Sequence, residues 1–196
     1  ADVADADLLL VRSVTRVDRA LLEGSSVAFV GSATIGTDHV DQTYLAEQGV
    51  RFAHAPGCNA NAVVQYVLSV LSRLQPDWQS STLGIVGCGN VGARLYRTLK
   101  SLGVKCSVYD PFLSVEDIPD LVDFQSLLAA DVICVHTPLT TGGPFPTKHM
   151  FDAEVLATLG ENTLLINAGR GAVIDNAALL RRLKGDLGLR VALDVW

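Results

Sequence analysis

The sequence predicts an α/β fold built on parallel sheets, and three observations predict it. Short apolar runs alternate with segments of helical spacing along the whole chain. Nearly every run stops at a glycine, a proline or a cluster of small residues. One of these stops, Gly87-Cys88-Gly89-Asn90-Val91-Gly92, lies between an apolar run and a helical segment. The chain has 196 residues, of which 49% are hydrophobic and 18% charged. That composition builds a packed core and argues against disorder.

The elements follow in order. Leu8–Val11 reads as a buried strand ending in the loop Arg12-Ser13. Residues 18–23 have helical spacing and stop at Gly24. A second strand covers 27–30 and runs into the small-residue loop 31–36. Residues 38–48 read as a helix closed by Gly49. A third strand at 50–53 precedes the loop Pro56-Gly57-Cys58-Asn59. Ala60–Leu74 is a long, mostly apolar helix, and 75–81, containing Pro76, reads as a linker. Thr82–Val86 is a strand, 93–102 a helix ending at Gly103, and Lys105–Tyr109 a strand ending in Asp110-Pro111. Helices at 121–130, 151–158 and Asn176–Lys184 alternate with strands at 131–136, 163–167 and 190–195. The sequence places the domain boundary between Asn59 and Ser81, drawn as 1–60 and 61–196.

Charge and cysteine usage exclude several classes of function. The formal net charge is −6, from 15 basic and 21 acidic residues. The longest basic cluster is the pair Arg181-Arg182, so no nucleic-acid or anionic-membrane partner is expected. No apolar run reaches the roughly 18 residues of a spanning helix. The acidic N-terminus does not resemble a signal peptide. Cys58, Cys88, Cys106 and Cys134 are scattered without CxxC spacing, which fits reduced thiols in a cytoplasm. Asp117, Asp120 and Asp123 have no histidine or cysteine beside them in sequence and read as a solvated acidic stretch. No metal site is expected.

The glycine loop carries chemistry because its context is right. It follows a strand, opens a helix, and has an acid after the next strand. Gly87 permits the tight turn, Gly89 lets backbone N–H groups approach a pyrophosphate, and Gly92 lets helix and strand pack closely. Asn90 and Val91 complete the cradle, and the helix N-terminus offers free donors to the phosphates. Asp110 lies 18 positions after Gly92, near the roughly 20 of a dinucleotide fingerprint. Its carboxylate can accept from both adenosine ribose hydroxyls and would repel a 2′-phosphate, which favours NAD over NADP.

Polar residues collect where the strands end, which is where ligands lie in an open parallel sheet. His136-Thr137-Pro138-Leu139 ends one strand, Asn167-Ala168-Gly169-Arg170-Gly171 another, and Asp194 the last. Thr137 and Asp194 can hold the ribose or carboxamide of nicotinamide. Arg170, between two glycines that let a ligand approach, can hold a carboxylate or polarise a carbonyl through a forked bond. His136 reads first as bonding a backbone group. His39 reads as first-turn helix chemistry, with Thr37 or Asp38 as the cap. His54 and His149 have no constellation around them.

With these residues in place, the chain resembles the D-isomer-specific 2-hydroxyacid dehydrogenases from end to end. The resemblance rests on Val11-Arg12-Ser13-Val14-Thr15, Gly36-Thr37-Asp38-His39-Val40-Asp41 and Ala55-Pro56-Gly57-Cys58-Asn59-Ala60. It also rests on His136-Thr137-Pro138-Leu139 and on 166–173. The Pro-Gly-Cys-Asn loop and the loop Gly142-Gly143-Pro144-Phe145-Pro146-Thr147 set it apart from the phosphoglycerate dehydrogenases of that family. Gln65 stands where relatives tend to carry Glu.

The resemblance implies a Rossmann NAD-binding domain, doubly wound, joined to a partial flavodoxin-like substrate domain. It implies that Ser13 and Thr34 bind substrate, with Arg12 assisting at a phosphate. It implies that Asp110, Thr137 and Asp194 bind NAD beside the glycine loop, and that Arg170 is the catalytic arginine. The reaction implied is hydride transfer from a small phosphorylated 2-hydroxy acid to NAD, in a cytoplasmic homodimer. The histidine base and its glutamate partner of the family lie C-terminal to Asp194-Val195-Trp196. Hydride transfer by these 196 residues alone is therefore expected to be weak. If the base came from this chain, His136 would be the substitute. Two other readings remain open: a sister enzyme acting on another 2-hydroxy acid such as 3-phosphoglycerate, and a non-catalytic NAD-sensing module.

Overall fold

The computed structural model describes residues 3–185 and 188–196. Its contacts divide the chain into two units, Ala1–Asn59 and Ala60–Trp196.

The first unit holds β1 (Leu8–Val11), α1 (Arg19–Leu22), β2 (Phe29–Ser32), α2 (Gln42–Glu47) and β3 (Arg51–His54). The three strands are parallel in the order β1-β2-β3, with Val11 beside Ser32 and Ser32 beside His54. Val11, Val17, Leu22, Val30, Tyr44 and Leu45 form its core. The helix predicted over 38–48 begins later, at Gln42. Residues 38–40 are drawn off because Val40 pairs with Val17: the Val17 N–H donates to His39 O and the Asp41 N–H to Val17 O, both at 2.8 Å. The cap is accordingly Asp41, whose carboxylate accepts from the Tyr44 N–H at 2.9 Å, and neither Thr37 nor Asp38.

The second unit starts with α3 (Ala60–Leu74) and a short 3-10 turn, Trp78–Ser80. Trp78 is buried in the core beside α3 residues. Residues 75–81 are thus packed structure and not a loose linker, because an indole of that size stabilises by burial. Next come β4 (Thr82–Val86), α4 (Gly92–Ser101), β5 (Lys105–Tyr109), α5 (Phe124–Leu127) and β6 (Val132–Val135). They are followed by α6 (Ala153–Thr158), β7 (Leu164–Asn167), α7 (Asn176–Lys184) and β8 (Arg190–Leu193). All five strands are parallel, in the order β5-β4-β6-β7-β8. β6 and β7 are buried at every position, as expected of strands covered on both faces. Val64, Leu71, Leu95, Leu99, Cys134 and Ile166 pack on one face, and Leu127, Ile133, Phe151, Leu156, Leu165 and Leu179 on the other. The sheet is therefore doubly wound.

Two helices are shorter than their apolar spacing suggests. Leu121 pairs with Val108 and Phe151 with Ile174 as isolated bridges. Each helix then starts at an aspartate cap, Asp123 before α5 and Asp152 before α6. Chain order reverses between β4 and β6, since β4 is followed in sequence by β5 on one side and then by β6 on the other. A ligand site lies at such a switch point, beyond the C-terminal strand ends.

Candidate functional site

At the C-terminal end of β4 the chain turns through Gly87, whose φ of +87° lies in the left-handed region that a side chain would strain. A Cβ there would also come within 2.9 Å of Thr137 Cγ2. At Gly92 a Cβ would lie 1.9 Å from the Gly87 carbonyl oxygen, so α4 can start close to the strand only with glycine. At Gly89 a Cβ would meet nothing within 4 Å. Two of the three glycines are therefore required by packing, while the third faces open space and leaves room for a ligand. Val91 caps α4 without a side-chain hydrogen bond, and in the first turn the Ala93 N–H donates to Gly89 O at 2.9 Å. The glycine-loop backbone and the positive end of the helix dipole fit a pyrophosphate.

Asp110 follows β5 beside this loop. Its Oδ2 accepts from the Cys88 N–H at 2.9 Å and its Oδ1 from the Phe112 N–H at 3.1 Å. The carboxylate thereby fixes the glycine loop, and each oxygen keeps a lone pair for a ribose hydroxyl. Burial, and then the Asp110 carboxylate, push the Cys88 thiol pKa up.

β6 ends on the other side of β4. The His136 backbone N–H donates to Val86 O at 2.8 Å. Its ring bonds no backbone group, contrary to the sequence reading: both ring nitrogens are shut from solvent with no hydrogen-bond partner. The Oγ1 of the neighbouring Thr137 is in the same state. Burial pushes the imidazole pKa down to about 4, so His136 is neutral at physiological pH.

At the end of β7 the fully buried Asn167 clamps the next turn. Its Nδ2 donates to Arg170 O at 3.0 Å and its Oδ1 accepts from the Gly169 N–H at 3.1 Å. Arg170 is half-buried, and its Nη1 donates to Gly169 O at 3.0 Å. The flanking glycines serve the chain itself: a Cβ at Gly169 would lie 2.9 Å from Thr137 O, and one at Gly171 2.5 Å from Trp196 C. Asp194 follows β8, is exposed, and donates its N–H to Asn167 O at 2.9 Å. It lies close enough to Tyr66 that burial first, and then its charge, raise the tyrosine pKa. Tyr66 was not singled out in the sequence, and Asn167 was named there only as the start of a strand-end stretch with no role of its own. A buried Asn at a strand end is a usable signal, whereas a tyrosine inside an apolar helix is not.

The five C-terminal strand ends of this unit thus present one row of groups: Asp110, the glycine loop, His136 with Thr137, the turn 167–170, and Asp194. In the first unit, Ser13 follows β1 in an exposed loop and Thr34 follows β2. Thr34 Oγ1 bonds Ser32 Oγ at 2.8 Å, and Ser32 Oγ bonds His39 Nε2 at 3.1 Å. His39 is buried and sits before α2, where it supports this chain of bonds and does not act at the start of a helix.

Two other places are structural. A cavity of about 570 Å³ opens at the N-terminal ends of β6, β7 and β8, away from the row. There Arg190 donates to Leu74 O, to Gln75 Oε1 at 2.6 Å and to Asn162 O at 2.7 Å, which ties down the end of α3. The acidic stretch is also not simply solvated: Asp120 accepts from Tyr96 Oη at 2.7 Å and pairs with Lys100 Nζ at 2.9 Å. Among the described residues no group of three or more His, Cys, Asp or Glu is placed to hold a metal ion. No helix among them is long and apolar enough to cross a membrane.

Comparison with known proteins agrees with this geometry. Residues 65–196 match the family model described as the D-isomer specific 2-hydroxyacid dehydrogenase, NAD binding domain. The chain is 56% identical over 198 residues to the erythronate-4-phosphate dehydrogenase of Teredinibacter turnerae, covering 100% of this chain and 54% of that protein. It is 54% identical over 200 residues to the enzyme of the same name from Saccharophagus degradans, again covering 100% and 54%. It therefore spans about half the length of these relatives. Among solved structures, it is similar to the NAD+-bound 3-phosphoglycerate dehydrogenase of Entamoeba histolytica. The TM-score is 0.84 at 28% identity, over 97% of this chain and 65% of that one.

Proposed function

From a chain that belongs to the D-isomer specific 2-hydroxyacid dehydrogenase family and carries its NAD-binding domain, we propose the activity of an erythronate-4-phosphate dehydrogenase, a step of pyridoxine biosynthesis. The observation behind the cofactor half is the open face at Gly89 beside an α4 whose N-cap makes no side-chain hydrogen bond and a loop fixed by Asp110. The substrate half rests on the 54–56% identity to relatives of that name.

NAD bound there would accept hydride from C2 of 4-phosphoerythronate, leaving the 2-oxo acid. Gly87, Gly89, Asn90, Val91 and Gly92 would hold the pyrophosphate, Asp110 the adenosine ribose, and Thr137 and Asp194 the nicotinamide half. Arg170 is the catalytic residue: its guanidinium would hold the substrate carboxylate and polarise the reacting oxygen. Ser13 and Thr34 would bind substrate, Thr34 being held in place through Ser32 by His39. We assign it to the cytoplasm as a homodimer with a small-molecule substrate and no nucleic-acid partner, in keeping with its acidic balance. Light scattering checks the dimer.

Calorimetry tests the function. NAD should bind in the micromolar range and NADP at least about tenfold more weakly, because a 2′-phosphate would face the Asp110 carboxylate. With NAD present, 4-phosphoerythronate should bind more tightly than 3-phosphoglycerate. The reverse order would favour the sister enzyme, and a glutamate and histidine absent from the gene sequence beyond Trp196 would favour a sensing module.

A further inference from the structure

Beyond β2 the chain turns through residues 33–36, and its backbone there is held at several points. The Ala33 N–H donates to Val11 O at 2.9 Å, the Ala55 N–H to Thr34 O at 3.3 Å, and His54 Nδ1 to Ile35 O at 2.9 Å. What remains to be set at Thr34 is the direction of its hydroxyl hydrogen, and a line of hydrogen bonds sets it. Thr34 Oγ1 lies 3.2 Å from Gly36 O, a carbonyl that can only accept, so the one Thr34 hydroxyl hydrogen goes there. Ser32 Oγ, 2.8 Å from Thr34 Oγ1, must then be the donor of that pair. With the Ser32 hydrogen spent, His39 Nε2, 3.1 Å from Ser32 Oγ, must donate in its turn. An independent observation agrees: His39 Nδ1 is shut from solvent with no hydrogen-bond partner. A proton on Nδ1 would be a buried donor with nothing to receive it, and buried N–H groups of that kind are rare. The proton belongs on Nε2.

We propose that His39 is a positioning residue: through Ser32 it turns the Thr34 hydroxyl into a hydrogen-bond acceptor toward the substrate, matched to a ligand hydroxyl and in particular to the C3 hydroxyl of 4-phosphoerythronate. This rests on the reading of Thr34 as a substrate-binding residue given above. Thr34 is only half-buried, its hydrogen is committed to Gly36 O and one lone pair is taken by Ser32, so Oγ1 keeps one lone pair for a ligand. An ionised carboxylate or phosphate brings only lone pairs to such a place, and two acceptors repel. Of the groups on 4-phosphoerythronate only the two hydroxyls donate, and the C2 hydroxyl gives up its hydrogen in the oxidation. The C3 hydroxyl is therefore the one that Thr34 can hold throughout. 3-Phosphoglycerate has no free hydroxyl at C3, so the same polarity separates the two acids.

Ring-nitrogen NMR and calorimetry on the full chain test the assignment. Without ligand, at mildly alkaline pH, the His39 ring (identified by the signals lost in His39→Gln) should carry its proton on Nε2 and none on Nδ1. A proton on Nδ1 overturns the proposal. Calorimetry with NAD present then compares 4-phosphoerythronate with 2-hydroxy-4-phosphobutanoate, the same acid without the C3 hydroxyl. His39→Leu removes the donor, while His39→Gln can place an amide N–H where Nε2 stands. His39→Leu should bind 4-phosphoerythronate about tenfold more weakly, the worth of one hydrogen bond, and the C3-deoxy acid as before. His39→Gln should stay within about threefold of the unchanged chain for both acids. A merely structural role would weaken both acids alike, in step with the melting temperature. Equal losses for the two acids, or no loss in His39→Leu, overturn the proposal. Should His39→Leu fail to fold, Ser32→Ala cuts the same line one step later and must show the same selectivity. If the unchanged chain binds neither acid, the substrate reading fails, and the ring-nitrogen signals still decide the polarity of the line by themselves.

Discussion

Asp110 shows how one side chain can have two duties. Its spacing from the glycine loop marks it in the sequence as a ribose acceptor, and the structure adds that it already accepts from Cys88 and Phe112. Asp110→Ala should therefore weaken NAD by about 1–3 kcal/mol, both by losing the ribose contact and by freeing the loop. It should also narrow the preference for NAD over NADP, which calorimetry reads directly. Asp120 was not legible in the same way, because its partners Tyr96 and Lys100 stand on a helix 20 or more positions earlier. Burial works to raise its pKa, but hydrogen bonds from Lys100 and Tyr96 outweigh it and hold the carboxyl below its ordinary value. That contribution is present above the ordinary carboxyl pKa and is lost as pH falls through the lowered one. Burial first, and then Asp120, raise Tyr96 to about 12. Its contribution is present below the ordinary tyrosine value and is lost as pH rises through about 12. Asp120→Ala should cost about 1 kcal/mol near neutral pH and flatten the alkaline decline, measured by denaturant unfolding across pH. Cys58 is the exposed thiol and Cys88, Cys106 and Cys134 are buried. A thiol reagent should label Cys58 quickly and the other three only on unfolding.

At the scale of elements, the glycine loop separates folding from binding. Gly92→Ala puts a methyl group into the Gly87 carbonyl and should destabilise by about 1–3 kcal/mol or more. Gly89→Ala meets nothing in the protein and should leave the melting temperature within a few degrees, yet weaken NAD at least about tenfold by occupying the space its pyrophosphate needs. Equal thermal losses in both variants would contradict this division. Strand cores were legible because β6 is apolar throughout and β4 and β7 are free of polar side chains except for Thr82 at the start of one and Asn167 at the end of the other, a pattern that a strand buried on both faces tolerates. Helix starts were less so. The apolar spacing runs through Val40, Leu121 and Phe151, but these side chains belong to bridges with Val17, Val108 and Ile174, and pairing across the chain is invisible to local periodicity. Capping aspartates at 41, 123 and 152 mark the true starts. In the candidate site, the glycines, Asp110 and Arg170 stand out by residue type and spacing. The unpaired nitrogens of His136 do not, because they depend on what fails to approach them in space.

For the whole molecule, the two units differ in how completely they cover their sheets. In the unit Ala60–Trp196 both faces carry a buried cluster, and the strands β6 and β7 between them are sealed. In the unit Ala1–Asn59 one face holds the core, while Leu8 and Leu10 on the other face of β1 are 65% and 77% exposed. A parallel sheet is stable when both faces are covered, and a unit of that size has little burial to spare. A chain of residues 60–196 should accordingly fold by itself, with one cooperative thermal transition and NAD affinity within about threefold of the full chain, as all five strand ends of the site are retained. NAD at about 100 times its dissociation constant should stabilise it by about 2.7 kcal/mol, which for a domain of that length raises the midpoint by roughly 10 °C. Residues 1–59 by themselves should show no cooperative transition. A non-cooperative melt of 60–196, or a midpoint indifferent to NAD, would mean that the cofactor site depends on the first unit for its order, and Gly89 and Asp110 would then have to be tested only in the intact chain.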